Sequence, residues 1–352
     1  MKRIGIVGCG HIGTVHSYAL RRLTQANLIN AAVTATFDTD FERAAAMAKH
    51  HDARPYEDLD SLLDNVDVVW ICTWTSGHLD AVVGAAKRGL AVFCEKPLAA
   101  SLQDCRRVQE VLSTVPHQVG LVLRHAPVFA QCAAIVHSQE FGRVLTTIFR
   151  DDQYFPVQGM YGSTWRADRA HAGGGTLIEH SIHDVDLLAW ILGAPDSVSA
   201  ATAERFGYEG IEDTAVLHLG YPDSSRAVMI SIWHQILSRG STRRLEIFCE
   251  HAMLWTEDDF LGPLHIQTSD GFLERIGAVP EWAKQLDLPE VYEKSVVQYA
   301  APAKAFLDAL DAEGGPRNGF PTCIEALASH VVVDAAYRSA AAGGSPITGI
   351  AL

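Results

Sequence analysis

The first third of the chain alternates short runs of β-branched and apolar residues with stretches whose apolar positions recur at helical spacing. That alternation is the pattern of a parallel sheet with crossover helices. Arg3–Val7, Ala31–Phe37, Val66–Cys72, Ala91–Cys94 and Val119–Leu123 read as strands. Ile12–Ala26, Phe41–His50, Gly77–Arg88 and Leu102–Leu112 read as the helices between them. Past Leu123–Arg124 the pattern predicts a helix at Pro127–Ser138, a strand at Val144–Arg150, a loop rich in glycine and aromatics, and one long helix at Thr176–Leu192. Five strand-like runs follow without helices between them, at Val198–Ala203, Ala215–Leu219, Ala227–Trp233, Leu245–Cys249 and Met253–Thr256, which predicts an antiparallel sheet. Helical patterns near Ala301–Ala309 and Ile324–Ala340 close the chain, with Gly314-Gly315-Pro316 between them.

Length and composition narrow this picture. At roughly 150 residues per domain, 352 residues predict two domains, with a cleft available between them. A net charge of -14, from 28 Lys+Arg against 42 Asp+Glu, would repel a polyanion and argues against nucleic acid as a partner. With 48% hydrophobic and 20% charged residues the chain can bury a sizeable core. Gly5 and the Gly8–Gly13 cluster interrupt any secretory h-region, and no stretch is apolar enough to span a bilayer. The seven cysteines, at 9, 72, 94, 105, 132, 249 and 323, are scattered without a Cys-x-x-Cys pair, which fits reduced thiols and a cytoplasmic location.

The first chemical motif is Gly8-Cys9-Gly10-His11-Ile12-Gly13, between a predicted strand and a predicted helix. In that setting glycines permit a tight turn and close approach of a pyrophosphate, whose charge the helix N-terminus attracts. The first domain is thus expected to be a Rossmann domain, residues 1–123, with residues 124–352 forming an α/β domain built on an open, mainly antiparallel sheet. Asp38 ends the second predicted strand, where a carboxylate can bind both hydroxyls of an adenosine ribose and repel a 2′-phosphate. No Lys or Arg follows at once, so NAD is favoured over NADP, although Arg43 could reach the neighbourhood.

Cys94-Glu95-Lys96-Pro97 stands at the C-terminal end of a predicted strand, the edge where open parallel sheets bind ligands. On the predicted helix, Ile178, Ile182, Val185, Ala189 and Leu192 share one face, while Glu179, His183 and Asp186 stack as a polar stripe on another. The glycine run before that helix would let substrate or cofactor come near. His180 and His183 lack a zinc signature, and no metal is expected.

With Thr73-Trp74-Thr75-Ser76-Gly77-His78 and the run Gly173–Asp186, these motifs resemble the Gfo/Idh/MocA family of NAD(P)-dependent sugar and polyol oxidoreductases almost end to end. The resemblance implies that Lys96 is catalytic, that the Lys96–Pro97 bond is cis, and that His183 accepts a proton. Glu179 stands where the family usually has Asp in an Asp-x-x-x-His pattern, and Ser181 where glycine is common. The resemblance places Gly8, Gly10, His11, Ile12, Gly13, Asp38, Thr73, Trp74, His78, Glu95 and Lys96 at the cofactor. Substrate would meet Lys96, Arg124, Trp165, Arg166, Glu179, His180 and His183, with flat rings suited to a sugar face and Arg and His to its hydroxyls. Trp233-His234, at the end of a predicted strand, offers the same kind of surface.

The expected reaction is hydride transfer between nicotinamide and a secondary alcohol of a sugar, inositol or related polyol. The alternatives are NAD-dependent glycoside cleavage by oxidation and elimination, and a non-catalytic nicotinamide-responsive binding protein. The strand-rich region has few helices to cover both its faces, and Leu217, Leu219 and Tyr221 alternate to one side while Met229, Ser231 and Trp233 form a mixed row. A homodimer or homotetramer joined through this sheet is expected, as is common in the family.

Overall fold

The computed structural model describes residues 1–350. Two compact units are present: residues 1–122 with 279–326, and residues 123–278 with 327–352.

In the first unit, β1 (Lys2–Val7), α1 (His11–Gln25), β2 (Ala31–Phe37), α2 (Phe41–His51), β3 (Arg54–Tyr56), α3 (Leu59–Leu63), β4 (Val68–Ile71), α4 (His78–Ala86), β5 (Ala91–Cys94), α5 (Leu102–Leu112) and β6 (His117–Val119) follow in order. Their six strands form a parallel sheet in the order β3-β2-β1-β4-β5-β6. The order reverses between β1 and β4, and at such a switch point two connections leave in opposite directions and open a crevice at the strand ends. β4 and β5 are buried on both faces and read as continuous apolar runs, with Trp70 stacked on Phe93 at 4.6 Å. The last strand covers His117–Val119 and a 3-10 turn occupies Val122–His125, so a strand at Val119–Leu123 does not form. Gly120 decides this: a Cβ there would lie 2.6 Å from Glu95 Oε1, and the chain turns as it passes that carboxylate. The short β3 and α3 carry too few residues to register as periodic pattern.

The second unit holds α6 (Pro127–Ser138), β7 (Val144–Tyr154), α7 (Arg169–Ala172), α8 (Thr176–Glu179), α9 (Ile182–Leu192), β8 (Ser197–Ala203), β9 (Thr214–Gly220), β10 (Arg226–His234), β11 (Thr242–Cys249), β12 (Ala252–Thr256), β13 (Leu264–Thr268) and β14 (Gly271–Arg275). One cut near Leu123 does not divide the units, because α10 (Glu290–Leu310) returns to the first and packs on α1. The next helix, α11 (Cys323–Ala341), begins in the first unit and continues into the second, where β15 (Ile347–Thr348) is the last strand of the described chain.

Nine strands of the second unit form a sheet in the order β14-β13-β12-β11-β7-β10-β9-β8-β15. All pairs are antiparallel except β7 with β10, which run parallel in the centre. Leu217 pairs with Met229, and with Leu219, Ser231 and Trp233 they lie on the buried face. The half-exposed face is the other one, where Val216, Val228, Ile230 and Ile232 alternate with them and Ile148 pairs with Val228. Trp233 is enclosed by Phe155, Ala172 and Ile211 and offers no ring to a ligand.

Candidate active site

The glycine turn after β1 has the geometry its spacing predicts. Gly8 has φ +94°, and a Cβ there would sit 2.6 Å from the backbone of Cys72; at Gly13 a Cβ would be 2.1 Å from the Gly8 carbonyl oxygen. A Cβ at Gly10 would meet nothing within 4 Å, so space is left above the N-terminus of α1. No side chain caps α1 and its first turn carries no acid, which leaves its N–H groups and dipole available to a pyrophosphate. His11 is exposed and Ile12 half-buried there. Asp38 accepts hydrogen bonds from the backbone N–H of Cys9 at 2.7 Å and of Asp40 at 2.9 Å, which fixes its carboxylate at the end of β2. These residues fit a dinucleotide.

Across the switch point, Thr73 and Trp74 are half-buried after β4. His78 is buried, with Nε2 3.3 Å from the Thr73 carbonyl, and burial lowers its pKa, which favours the neutral ring. Its neighbours include the backbone of Pro97 and Leu98, so it supports the two turns from below. The Lys96–Pro97 bond is cis. Glu95, only 4% exposed, accepts from His16 Nε2 at 2.6 Å and from the Lys96 N–H at 3.1 Å. His16 itself is fully buried between Phe93 and Tyr299. A histidine three positions after Gly13, on the face of α1 that also carries Ala19, Leu20 and Leu23, was the available signal for it.

In the second unit the expected long helix is broken: α8 ends at Glu179 and α9 starts at Ile182. Ser181 donates through Oγ to Asp151 Oδ2 and lies 2.6 Å from Ser231 Oγ, while His180 Nε2 lies 2.9 Å from Asp151. Both side chains draw the backbone toward β7, and the Ser181 N–H reaches back to the Thr176 carbonyl instead of continuing the regular ladder. Glu179 therefore does not share one helical stripe with His183 and Asp186; those two lie on α9, and Glu179 closes α8. The glycine run also has a structural reason. A Cβ at Gly175 would lie 2.0 Å from the Glu212 carbonyl oxygen, and one at Gly174 would lie 2.4 Å from the Tyr337 hydroxyl. The Glu212 side chain accepts from the N–H groups of Gly175 and Leu177 and from Tyr337.

Two ion pairs hold Arg124, Arg166 and Glu179 of the remaining expected residues. Arg166 donates through Nε to the buried Glu179 at 3.1 Å and lies 4.3 Å from the ring of Trp165, so the aromatic loop and the end of α8 come together. Arg124 is committed to Asp186 through Nε and Nη2, at 2.7 and 2.8 Å. His183 is 8% exposed in the first turn of α9. Among the described residues no three His, Cys, Asp or Glu side chains are grouped to hold a metal ion.

Comparison with known proteins now bears on this geometry. Residues 2–121 match the profile described as oxidoreductase family, NAD-binding Rossmann fold, and residues 129–255 match the GFO/IDH/MocA C-terminal domain. The chain belongs to the GFO/IDH/MocA family. It is 27% identical over 354 residues to inositol 2-dehydrogenase of Rhizobium meliloti (strain 1021), covering 96% of this chain and 97% of the relative. It is 28% identical over 268 residues to myo-inositol 2-dehydrogenase of Thermotoga maritima, covering 73% and 75%. A solved structure of levoglucosan dehydrogenase with NADH and levoglucosan has the same fold, with a TM-score of 0.85, 20% identity and 99% of each chain covered. As a GFO/IDH/MocA protein the chain is an NAD-binding oxidoreductase.

Proposed function

We infer that the protein is a dehydrogenase acting on CH–OH groups, which moves a hydride between a nicotinamide cofactor and a secondary alcohol of an inositol, sugar or related polyol. The carrying observation is similarity over nearly the whole of an inositol 2-dehydrogenase, in a chain that retains Lys96 and His183. Bound nicotinamide supplies the hydride acceptor. The chain's residues manage the proton: as the carbonyl forms, the hydroxyl proton must leave, and His183 takes it near neutral pH. The Lys96 ammonium holds that hydroxyl and stabilises negative charge developing on oxygen. Glu95 and His16 hold the peptide that carries Lys96, and Arg166 holds Glu179, which with Trp165, His180 and Arg124 belongs to the proposed substrate-binding set. The test is a screen of NAD reduction over inositols, aldoses, amino sugars and glycosides with product analysis. Free sugar without NADH would instead mark oxidation followed by elimination.

NAD is the proposed cofactor. The Asp38 carboxylate, held by two backbone N–H groups, would repel a 2′-phosphate, and the nearby Arg43 is engaged with Asp40 at 3.2 Å. NAD is expected to bind more tightly than NADP, with Asp38→Ser narrowing the gap in fluorescence titrations. Equal affinities in the unmodified protein would reject the assignment.

The working form is proposed to be a dimer or tetramer. Ile148, Val228 and Ile230 on the half-exposed sheet face support it, since a second copy across a two-fold axis would cover them. Light scattering should give a twofold or fourfold multiple of 38.3 kDa, and active protein at the single-chain mass would refute it. All seven cysteines are buried and none is in a disulfide, which supports a cytoplasmic location. No helix among the described residues is long and apolar enough to cross a membrane.

A further inference from the structure

Behind the break between α8 and α9 lies a cluster of charges of which the roles above use only His180. Arg243 of β11 donates through Nε to Asp184 Oδ1 at 2.8 Å and through Nη2 to Asp151 Oδ2 at 3.2 Å. Asp151 and Asp184 are fully buried, and Arg243 is 7% exposed. His180 Nε2 lies 2.9 Å from Asp151 on its other side, and Asp259, in the loop after β12, is 3.4 Å from Arg243 Nη1 and partly open to solvent. Tyr161 is the further titratable group whose field reaches Arg243 and Asp259.

The charge count decides what this cluster must do. One guanidinium neutralises one of the two fully buried carboxylates, and a second buried charge without a partner is costly. Asp184 Oδ2 has no hydrogen-bond donor, which an ionised carboxylate buried there would need. A single added proton removes the conflict, either on Asp184, whose hydroxyl can then donate to Asp151, or on His180 as an imidazolium against Asp151.

We propose that Asp151, Asp184, Arg243 and His180 form a one-proton store adjoining His183. Asp184 directly follows His183 in α9, so the cluster is joined to it along the chain; His180, whose side chain is 13% exposed while those of Asp151 and Asp184 are fully enclosed, is the exchange point. Oxidising an alcohol breaks one C–H and one O–H bond; the hydride goes to nicotinamide and the proton to His183, which must lose it before the next cycle. In molecules whose store is empty, the store accepts that proton and then loses it to solvent, which empties it for the next cycle. Burial beside Asp151 raises the Asp184 carboxyl to about 7, so filling and emptying both occur near neutrality. The use made of the proton rests on the dehydrogenase reading, whereas the store itself does not.

Acid–base titration of the purified protein, without substrate or cofactor, tests the store directly. Between pH 8 and 6 the native protein should take up about one proton more than Asp184→Asn; equal uptake overturns the proposal. Should Asp184→Asn not fold, the infrared difference spectrum of the native protein over the same pH range serves instead. A protonated-carboxyl band, or an imidazole change lost in His180→Gln, supports the store, and the absence of both overturns it. For the link to turnover, His180→Gln should lower kcat about tenfold more at pH 6 than at pH 8, less than the ~10²-fold a direct base contributes. A loss uniform across pH would leave His180 with substrate binding or packing alone and overturn that link. Normal proton uptake in a protein that oxidises no polyol would leave the store standing and sink the dehydrogenase reading.

Discussion

Replacing Lys96 or His183 by alanine should each lower kcat by about 10²–10⁴-fold, the range that a positioned proton-transfer or charge-stabilising group supplies. Affinity for NAD should change little, because the dinucleotide is proposed to be held by the open turn at Gly10 and by Asp38. The two variants should differ in their response to pH. Without His183 the remaining rate should rise with pH as hydroxide or solvent replaces the base. Without Lys96 the dependence on a neutral imidazole should persist at a lower overall rate. Steady-state kinetics from about pH 6 to 9, beside fluorescence titration of NAD, separate these outcomes. Near-full kcat in His183→Ala across that range would exclude it as the base and turn attention to Tyr154 or His180.

The second large effect is on stability. Arg124 and Asp186 form a two-pronged pair whose side chains are 7% and 2% exposed, and the Asp186 carboxylate is also within 3.4 Å of Ser329 Oγ. Arg124→Ala removes the cation and strands a buried carboxylate, for which a loss of about 3–5 kcal/mol is expected. Asp186 would partly escape by taking a proton, so the penalty should shrink as pH falls. Arg124→Ala combined with Asp186→Ala should recover part of the loss, since no unpaired charge then remains. Urea unfolding followed by circular dichroism measures both variants beside the native protein. A cost below about 1 kcal/mol for the single change would mean that water reaches the pair and screens it as it does surface ion pairs.

Much of this molecule is determined by local pattern. Ala31–Phe37, Ala91–Cys94, Leu102–Leu112 and Pro127–Ser138 form over the residues that periodicity marks, because each carries one uninterrupted signal and a clear boundary. The caps of α2 and α5 are equally local: Asp40 and Ser101 accept from N–H groups two and three residues ahead. At Gly13 the clash that excludes a Cβ also comes from within the turn, from the Gly8 carbonyl, whereas at Gly8 it comes from Cys72, past β4 and distant in the chain. The spacing of the turn proposed to hold the cofactor was nonetheless legible as a string of residues.

Tertiary structure decided the rest, because its causes are distant in the chain. Helical periodicity runs without a gap from Thr176 to Leu192, yet Asp151, some thirty positions earlier, binds His180 and Ser181 and breaks the helix there. Gly174 and Gly175 look like a ligand-binding run, but Tyr337 and Glu212 press against them. Alternation shows that a strand has two faces and cannot say which of them helices cover; the face of Leu217 and Met229 is the buried one, and that of Val216 and Ile230 stays half-open. Arg243 gives no sign in the sequence of meeting Asp151 and Asp184, since strands and helices far apart in sequence bring the three charges together. Sequence alone determined which chemical groups are present and how the segments with an uninterrupted local signal fold. Packing determined which charges must share a proton, because the energy of a buried charge depends on every group around it and not on its neighbours in the chain.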